Sequence, residues 1–333
     1  MRHAVFACIA VSAWAGAAQA GEWKAQLVDT PAQVTAIETV DGEVRVNSGG
    51  LWYRVVLKGQ QATLDFIDRP AKRELPEGAL PDSRVATGTR DIARAWLAEP
   101  TTRYDHGILG NKIEAGALVI EMRDGKLQTV RLGDDAVFED LQPRLADLDG
   151  DGRDEIIVVK SYLKRGSALA VIADRKGRYE VVAETPPLGA PQRWLNPAGI
   201  ADFNGDGKVD IALVRQPHVV GALELWNWNG VGLRKLAELT DAANHIAGTR
   251  ALRMSAAADF DGDGIADLAV PSFDRSRLRI VSFAAKDSQP REIASVALPA
   301  KAVTDFGLIA IEQGPPAIAV GLAGGTLVVI RRD

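Results

Sequence analysis

Between residues 140 and 300 the chain alternates apolar runs of three to seven residues with short polar or glycine-rich clusters. Runs of this length, punctuated by turn signals every ~8–12 residues, predict antiparallel strands rather than helices. Three stretches repeat one order. Strands expected at 156–159, 211–214 and 268–270 are each followed by a second strand (168–173, 222–228, 277–283) and a third (179–183, 233–239, 292–298). A short apolar pair precedes each set: Leu145-Ala146, Ile200-Ala201 and Ala257-Ala258. Four strands per unit describe one antiparallel blade, and blades arranged around an axis make a β-propeller.

Between the apolar pair and the next strand lies a nine-residue motif. It reads Asp-Leu-Asp-Gly-Asp-Gly-Arg-Asp-Glu over 147–155, Asp-Phe-Asn-Gly-Asp-Gly-Lys-Val-Asp over 202–210 and Asp-Phe-Asp-Gly-Asp-Gly-Ile-Ala-Asp over 259–267. Positions 1, 3, 5 and 9 bring oxygens towards one point, and the glycines at 4 and 6 permit the tight backbone. Ca²⁺ takes 6–8 oxygen ligands from carboxylates, backbone carbonyls and water, whereas Mg²⁺ demands a small octahedron and keeps its waters. The expected donors are Asp147, Asp149, Asp151 and Glu155; Asp202, Asn204, Asp206 and Asp210; Asp259, Asp261, Asp263 and Asp267, with the carbonyls of Arg153, Lys208 and Ile265. An EF-hand begins alike but needs Glu at position 12 and flanking helices. Position 12 here is Val158, Leu213 or Val270, in a strand pattern.

These loops, each followed by an apolar strand, resemble the FG-GAP/VCBS repeats of integrin-α-type β-propellers. The resemblance implies an all-β propeller in which each loop joins strands 1 and 2 of its blade and binds one Ca²⁺. It does not imply a particular function, because unrelated functions share this scaffold.

The remaining blades are fainter. Gly88–Glu99 aligns without gaps against Gly248–Asp259, which predicts a blade over 84–132 whose acidic loop has decayed to residues 99–103. Strands near 34–40, 52–57 and 62–67 suggest a weak first blade over 32–68, and residues 69–83, rich in Pro and charge, an exposed connector. Further blades are expected at about 137–184, 187–240 and 245–298. The last, 303–333, offers three strands and is expected to borrow a fourth from residues 23–28. Six blades is the expected count, with seven as the alternative.

Met1-Arg2-His3, an apolar run over 4–15 and Ala18-Gln19-Ala20 predict a signal peptide over 1–20, too short for a spanning helix. The reading is an exported, periplasmic or secreted protein without a transmembrane anchor. Its removal takes away Cys8, the only cysteine, so disulfides cannot stabilise the remainder. A sequence pI near 5.6 and a net charge of −5 speak against nucleic-acid binding.

On the face opposite the loops the expectation is basic. Counting nine residues back from Asp202, Asp259 and Glu99 gives Arg193, Arg250 and Arg90. Nine residues reach up to about 30 Å, enough to cross a blade. Trp194, Asn196, His218, His245 and Arg253 lie nearby in sequence, with Trp194 the tryptophan expected to be exposed. Arginines converging on an axial mouth suit carboxylate, phosphate or sulfate recognition. The sequence contains no GxSxG, HExxH, phosphate-binding loop or dinucleotide fingerprint. The expected function is therefore a binding module for an anionic small molecule, glycan or protein partner. The alternative is a polysaccharide lyase or hydrolase using Tyr162, His218, His245 and the arginines.

Overall fold

The structure is a computed structural model that describes residues 21–71, 74–285 and 288–333. The signal peptide expected at 1–20 lies outside the described residues. Among the described residues the secondary structure is strand throughout, with no helix. No helix among the described residues is long and apolar enough to cross a membrane.

β1 (Trp23–Val28) is followed by a first four-strand unit: β2 (Val34–Val40), β3 (Glu43–Ser48), β4 (Leu51–Lys58) and β5 (Gln61–Ile67), hydrogen-bonded in chain order. β3 was missed in the sequence because it holds only two apolar residues, Val44 and Val46, though both are buried in strict alternation. The second unit comprises β6 (Ala86–Thr87), β7 (Ile92–Thr101), β8 (Glu114–Met122) and β9 (Leu127–Arg131). After β10 (Ala136–Phe138) comes a third: β11 (Arg144–Ala146), β12 (Glu155–Tyr162), β13 (Gly166–Arg175) and β14 (Arg178–Glu184). β10 pairs with β12 and meets β8 at Phe138↔Ala115, so these two units share one continuous sheet.

The fourth unit is β15 (Leu195–Ala201), β16 (Asp210–Arg215), β17 (Ala222–Trp228) and β18 (Leu233–Leu239). The fifth is β19 (Ala256–Ala258), β20 (Asp267–Pro271), β21 (Arg277–Ser282) and β22 (Arg291–Ala297). β23 (Ala302–Ile309), β24 (Ala317–Leu322) and β25 (Leu327–Arg332) form the last, and β1 supplies its outer strand in antiparallel register from Trp23↔Arg332 to Val28↔Leu327. The repeated four-strand antiparallel units give a propeller-like fold.

Two boundaries differ from the sequence expectation. Glu99 lies inside β7, and the turn at residues 88–91 between β6 and β7 takes the place of an acidic loop. The gapless alignment matched composition, whereas pairing sets the register: Ala86 faces Ala95, so the turn is short. Nor is the 69–83 connector wholly exposed. Leu80 is buried, and its amide donates to the Leu97 carbonyl at 2.8 Å.

From the second unit round to the first, neighbouring units are joined by buried aliphatic residues. One cluster spans the second to fourth units, from Leu118 through Ile157 to Leu213. A second joins the fourth and fifth units through Leu225 and Leu268, a third the fifth and last through Ile280 and Val320, and a fourth the last and first through Val329 and Val46. Each buried aliphatic side chain contributes roughly 1.5–3 kcal/mol.

Candidate metal loops and axial cavity

The three acidic loops join β11 to β12, β15 to β16 and β19 to β20, and each folds by the same hydrogen bonds. The position-1 carboxylate accepts from the position-4 amide: Gly150 to Asp147 at 2.8 Å, Gly205 to Asp202 at 2.7 Å and Gly262 to Asp259 at 2.6 Å. Its second oxygen accepts from the position-6 amide at 3.0, 2.8 and 2.9 Å. Both glycines of each loop have φ between 73° and 90°, where a Cβ is strained, which explains the Gly at these two positions. The position-9 carboxylate accepts from the position-2 amide (Leu148 to Glu155 at 2.8 Å, Phe260 to Asp267 at 2.9 Å), tying the loop's entry to its exit.

The donors suit a hard cation. Carboxylate oxygens of Asp147, Asp149 and Glu155 lie within 4.8 Å of one another, as do those of Asp259, Asp261 and Asp263. At position 9 burial and then the neighbouring loop carboxylates push the acids up, Glu155 to about 7 and Asp210 and Asp267 to about 6. Asp267 Oδ1 is buried with no hydrogen-bond partner. A convergent all-oxygen set of crowded carboxylates is what a divalent cation relieves.

An arginine from the neighbouring unit stands beside the first loop. Arg90, expected on the opposite rim, lies here instead: it donates to Asp154 at 2.9 Å and stands 3.6 Å from Asp147. It occupies the short β6–β7 turn, the local counterpart of an acidic loop, so the nine-residue count carried it to the wrong face.

The other predicted arginines separate. Arg250 and Arg253 line an axial cavity of about 510 Å³, to which the inner strand, or the residues leading into it, of every unit contributes: Thr39, Arg84, Arg144, Pro197, Ser255 and Phe306 among them. The cavity carries both signs of charge. Arg250 pairs with Asp82 at 2.7 Å, Arg84 stands 3.5 Å from Asp305, and Arg253 donates to Gln142. Arg144 is held by Asp140 at 2.7 Å. Asp305, raised by burial, receives the Arg253 amide at 2.9 Å. Arg193 does not line this cavity; it is exposed and donates to the Leu188 carbonyl at 3.2 Å.

Sequence reasoning missed Arg84, Arg144, Asp82 and Asp305. Arg84 and Arg144 lie just before or at the first residues of their inner strands, so the apolar-pair pattern marking those strands was the available signal.

The remaining predicted residues do not line the cavity. Trp194, expected exposed, is buried, stacked on His218 and tilted on His245, and its indole N–H donates to the Glu139 carbonyl at 3.1 Å. Nε2 of His245 stands 3.0 Å from the Thr249 carbonyl, which makes it the donor there and leaves Nδ1 to accept from His218 at 3.1 Å. Burial pushes His218 down to about 4 and His245 to about 3, so both are neutral. Asn196 is buried and donates to the carbonyls of Asn244 and Leu252. Tyr162 donates to Glu184 at 2.6 Å beneath the Arg165 guanidinium.

With this geometry in view, comparison with known proteins decides the repeat type. The FG-GAP-like repeat model matches residues 147–213 and 202–270. The chain carries FG-GAP-like repeats. The matched segments contain all three acidic loops and the strands that follow them, running from the loop of the third unit to the second strand of the fifth. No curated protein matches the chain. Among solved structures, the crystal structure of BBS1N in complex with ARL6DN, soaked with mercury, aligns over 94% of this chain and 98% of that one, at 12% identity and a TM-score of 0.46.

Proposed function

We propose that the chain is an exported, six-bladed β-propeller, stabilised by Ca²⁺ in its three acidic loops, that serves as a binding module for an anionic ligand. One observation carries this reading: Arg84, Arg144, Arg250 and Arg253 converge on a cavity shared by all six units. Guanidinium groups give carboxylate, phosphate and sulfate two parallel hydrogen bonds, and walls that limit water strengthen them. Calcium would neutralise each loop's crowded carboxylates and fix the inner strand against the next, keeping the cavity's walls in register. In that role the residues named for each loop are its ligands, Glu155 offering a longer carboxylate than the Asp of the other two.

An enzyme on the same scaffold, acting on acidic polysaccharide, is the second reading. His218 and His245 are neutral but packed under Trp194 outside the cavity, which favours binding over acid–base work. The test is calorimetric titration of the calcium-loaded mature chain with sulfate, phosphate, citrate and galacturonate. Saturable binding that weakens in Arg84→Ala supports the module. Absence of binding by every anion overturns it, and turnover of an acidic polysaccharide would transfer the case to the enzyme.

A further inference from the structure

Of the seams between neighbouring units, the one between the first and second is different. The others are filled by the aliphatic clusters described above, whereas among the described residues no such cluster spans this one. In its place is a polar cleft of about 830 Å³, lined on one side by Arg45, Asn47 and Trp52 of β3 and β4, and on the other by Arg69 and Asp82–Arg84 of the connecting chain. Thr39, Asp82, Arg84 and Arg253 line both this cleft and the axial cavity, so the two are one continuous groove. Either space alone is of the size that holds a small molecule. Joined, they exceed it.

Resting on the reading of the axial cavity as an anion site, we infer that the groove takes an elongated acidic oligosaccharide, its acidic end at the axis and its chain running outward past Trp52. Length follows from the continuity of the groove. Negative charge follows from Arg45, Arg69, Arg84 and Arg253 along its course. The saccharide class follows from what lies between those arginines. Glu38 and Asp82 present carboxylate acceptors that an acidic peptide would meet with further carboxylates, at a repulsive cost, but that the hydroxyls of a uronate would satisfy. Trp52, half-buried at the groove, offers a flat apolar face beside polar groups, which suits the C–H face of a pyranose.

The test compares galacturonic acid, its linear hexamer and a hexaglutamate peptide against the calcium-loaded full chain by calorimetry. The hexamer should bind at least about 30-fold tighter than the monomer. Arg69→Ala, on an exposed segment whose loss cannot unfold the core, and Trp52→Ala should each weaken the hexamer several-fold or more and leave the monomer within twofold. Equal affinities for monomer and hexamer would overturn the extended-ligand inference while sparing the anion site. Tighter binding of hexaglutamate than of hexauronate would overturn the saccharide class. Failure of all three probes, alongside failure of the simple anions, would remove both readings.

Discussion

Arg90 reaches across from the second unit to Asp154 in the third, its Nη1 2.9 Å from the Asp154 carboxylate, and this places a fixed positive charge 3.6 Å from the first ligand position of the first acidic loop. Among the described residues no ion pair reaches the 202–210 carboxylates, whereas in the third loop Arg291 stands 3.7 Å from Asp261. A charge that near the proposed calcium weakens it.

Replacing Arg90 with Ala should therefore tighten calcium at the first loop. For a half-exposed charge the effect is a few tenths to about 1 kcal/mol, or roughly two- to fivefold in affinity. Calcium titration of the variant should show one site strengthened and two unchanged. A uniform change at all three, or a weakened first site, would mean that Arg90 acts as a brace rather than a competitor.

Removing calcium should lower the melting temperature. Each site at a hundredfold excess of ligand over Kd adds about 2.7 kcal/mol, and the chain has no cysteine beyond Cys8 to compensate. Thermal unfolding in excess EGTA should shift down by several degrees, and further calcium should restore it. An unchanged curve, with no calcium by elemental analysis, is the contrary result.

Glu114 makes stability depend on alkali. Its carboxylate is buried, both oxygens are without partners, and burial, then the charges of Glu139 and Asp140, push it up to about 9. The folded chain keeps a proton that the unfolded chain releases near 4.5, so stability falls as pH rises from that value towards 9. Denaturant unfolding at pH 6 and pH 9 should show this decline, and Glu114→Gln, which cannot ionise, should flatten it. An identical slope in the Gln variant would show the decline to have another origin.

Arg250 and Arg193 should behave differently although the sequence places them in the same register. Arg250→Ala removes a charge-assisted donor from the axial cavity, costing about 1.5–3 kcal/mol of anion affinity, roughly 10- to 150-fold. Lys should restore only part of it, because an ammonium cannot reproduce the guanidinium fork. Arg193→Ala should leave affinity within twofold. Calorimetry on the three variants decides it, and equal losses at 193 and 250 would return the ligand to the outer rim.

Much of the architecture was legible because local chemistry wrote it. The acidic loops need Gly at φ near +80°, and no other residue serves there as cheaply, so the motif stands out in the sequence. β1 was legible because Trp23–Val28 is an isolated strand pattern and the last unit, ending at β25, lacked an outer partner. β3 and the β6–β7 turn were not. The first is a short strand with two apolar residues, and the second carries no motif; only pairing to β7 fixes it. The cavity was half legible. Arg250 was reached by counting and Arg253 as its neighbour in sequence, but Arg90 and Arg193 share that count and sit elsewhere, because the lengths of the segments before each inner strand differ. Trp194 and the two histidines read as surface residues of a loop. They pack on one another instead, and Trp194 donates to a neighbouring unit's Glu139 carbonyl, a contact that sequence does not announce.

The shared sheet created by β10 has a consequence for how damage spreads. In a simple repeat array each module contributes its own term and one interface term, so a lesion stays local. Here β10 hydrogen-bonds to β12 and touches β8 in a single ladder, so the second and third modules open together. Loosening Phe138 would fray amides in both at once, and native-state hydrogen exchange would report one protected block where the module count alone implies two. On its other side, the second module faces the polar cleft rather than an apolar seam. The ring is thus welded at one seam and left partable at the next.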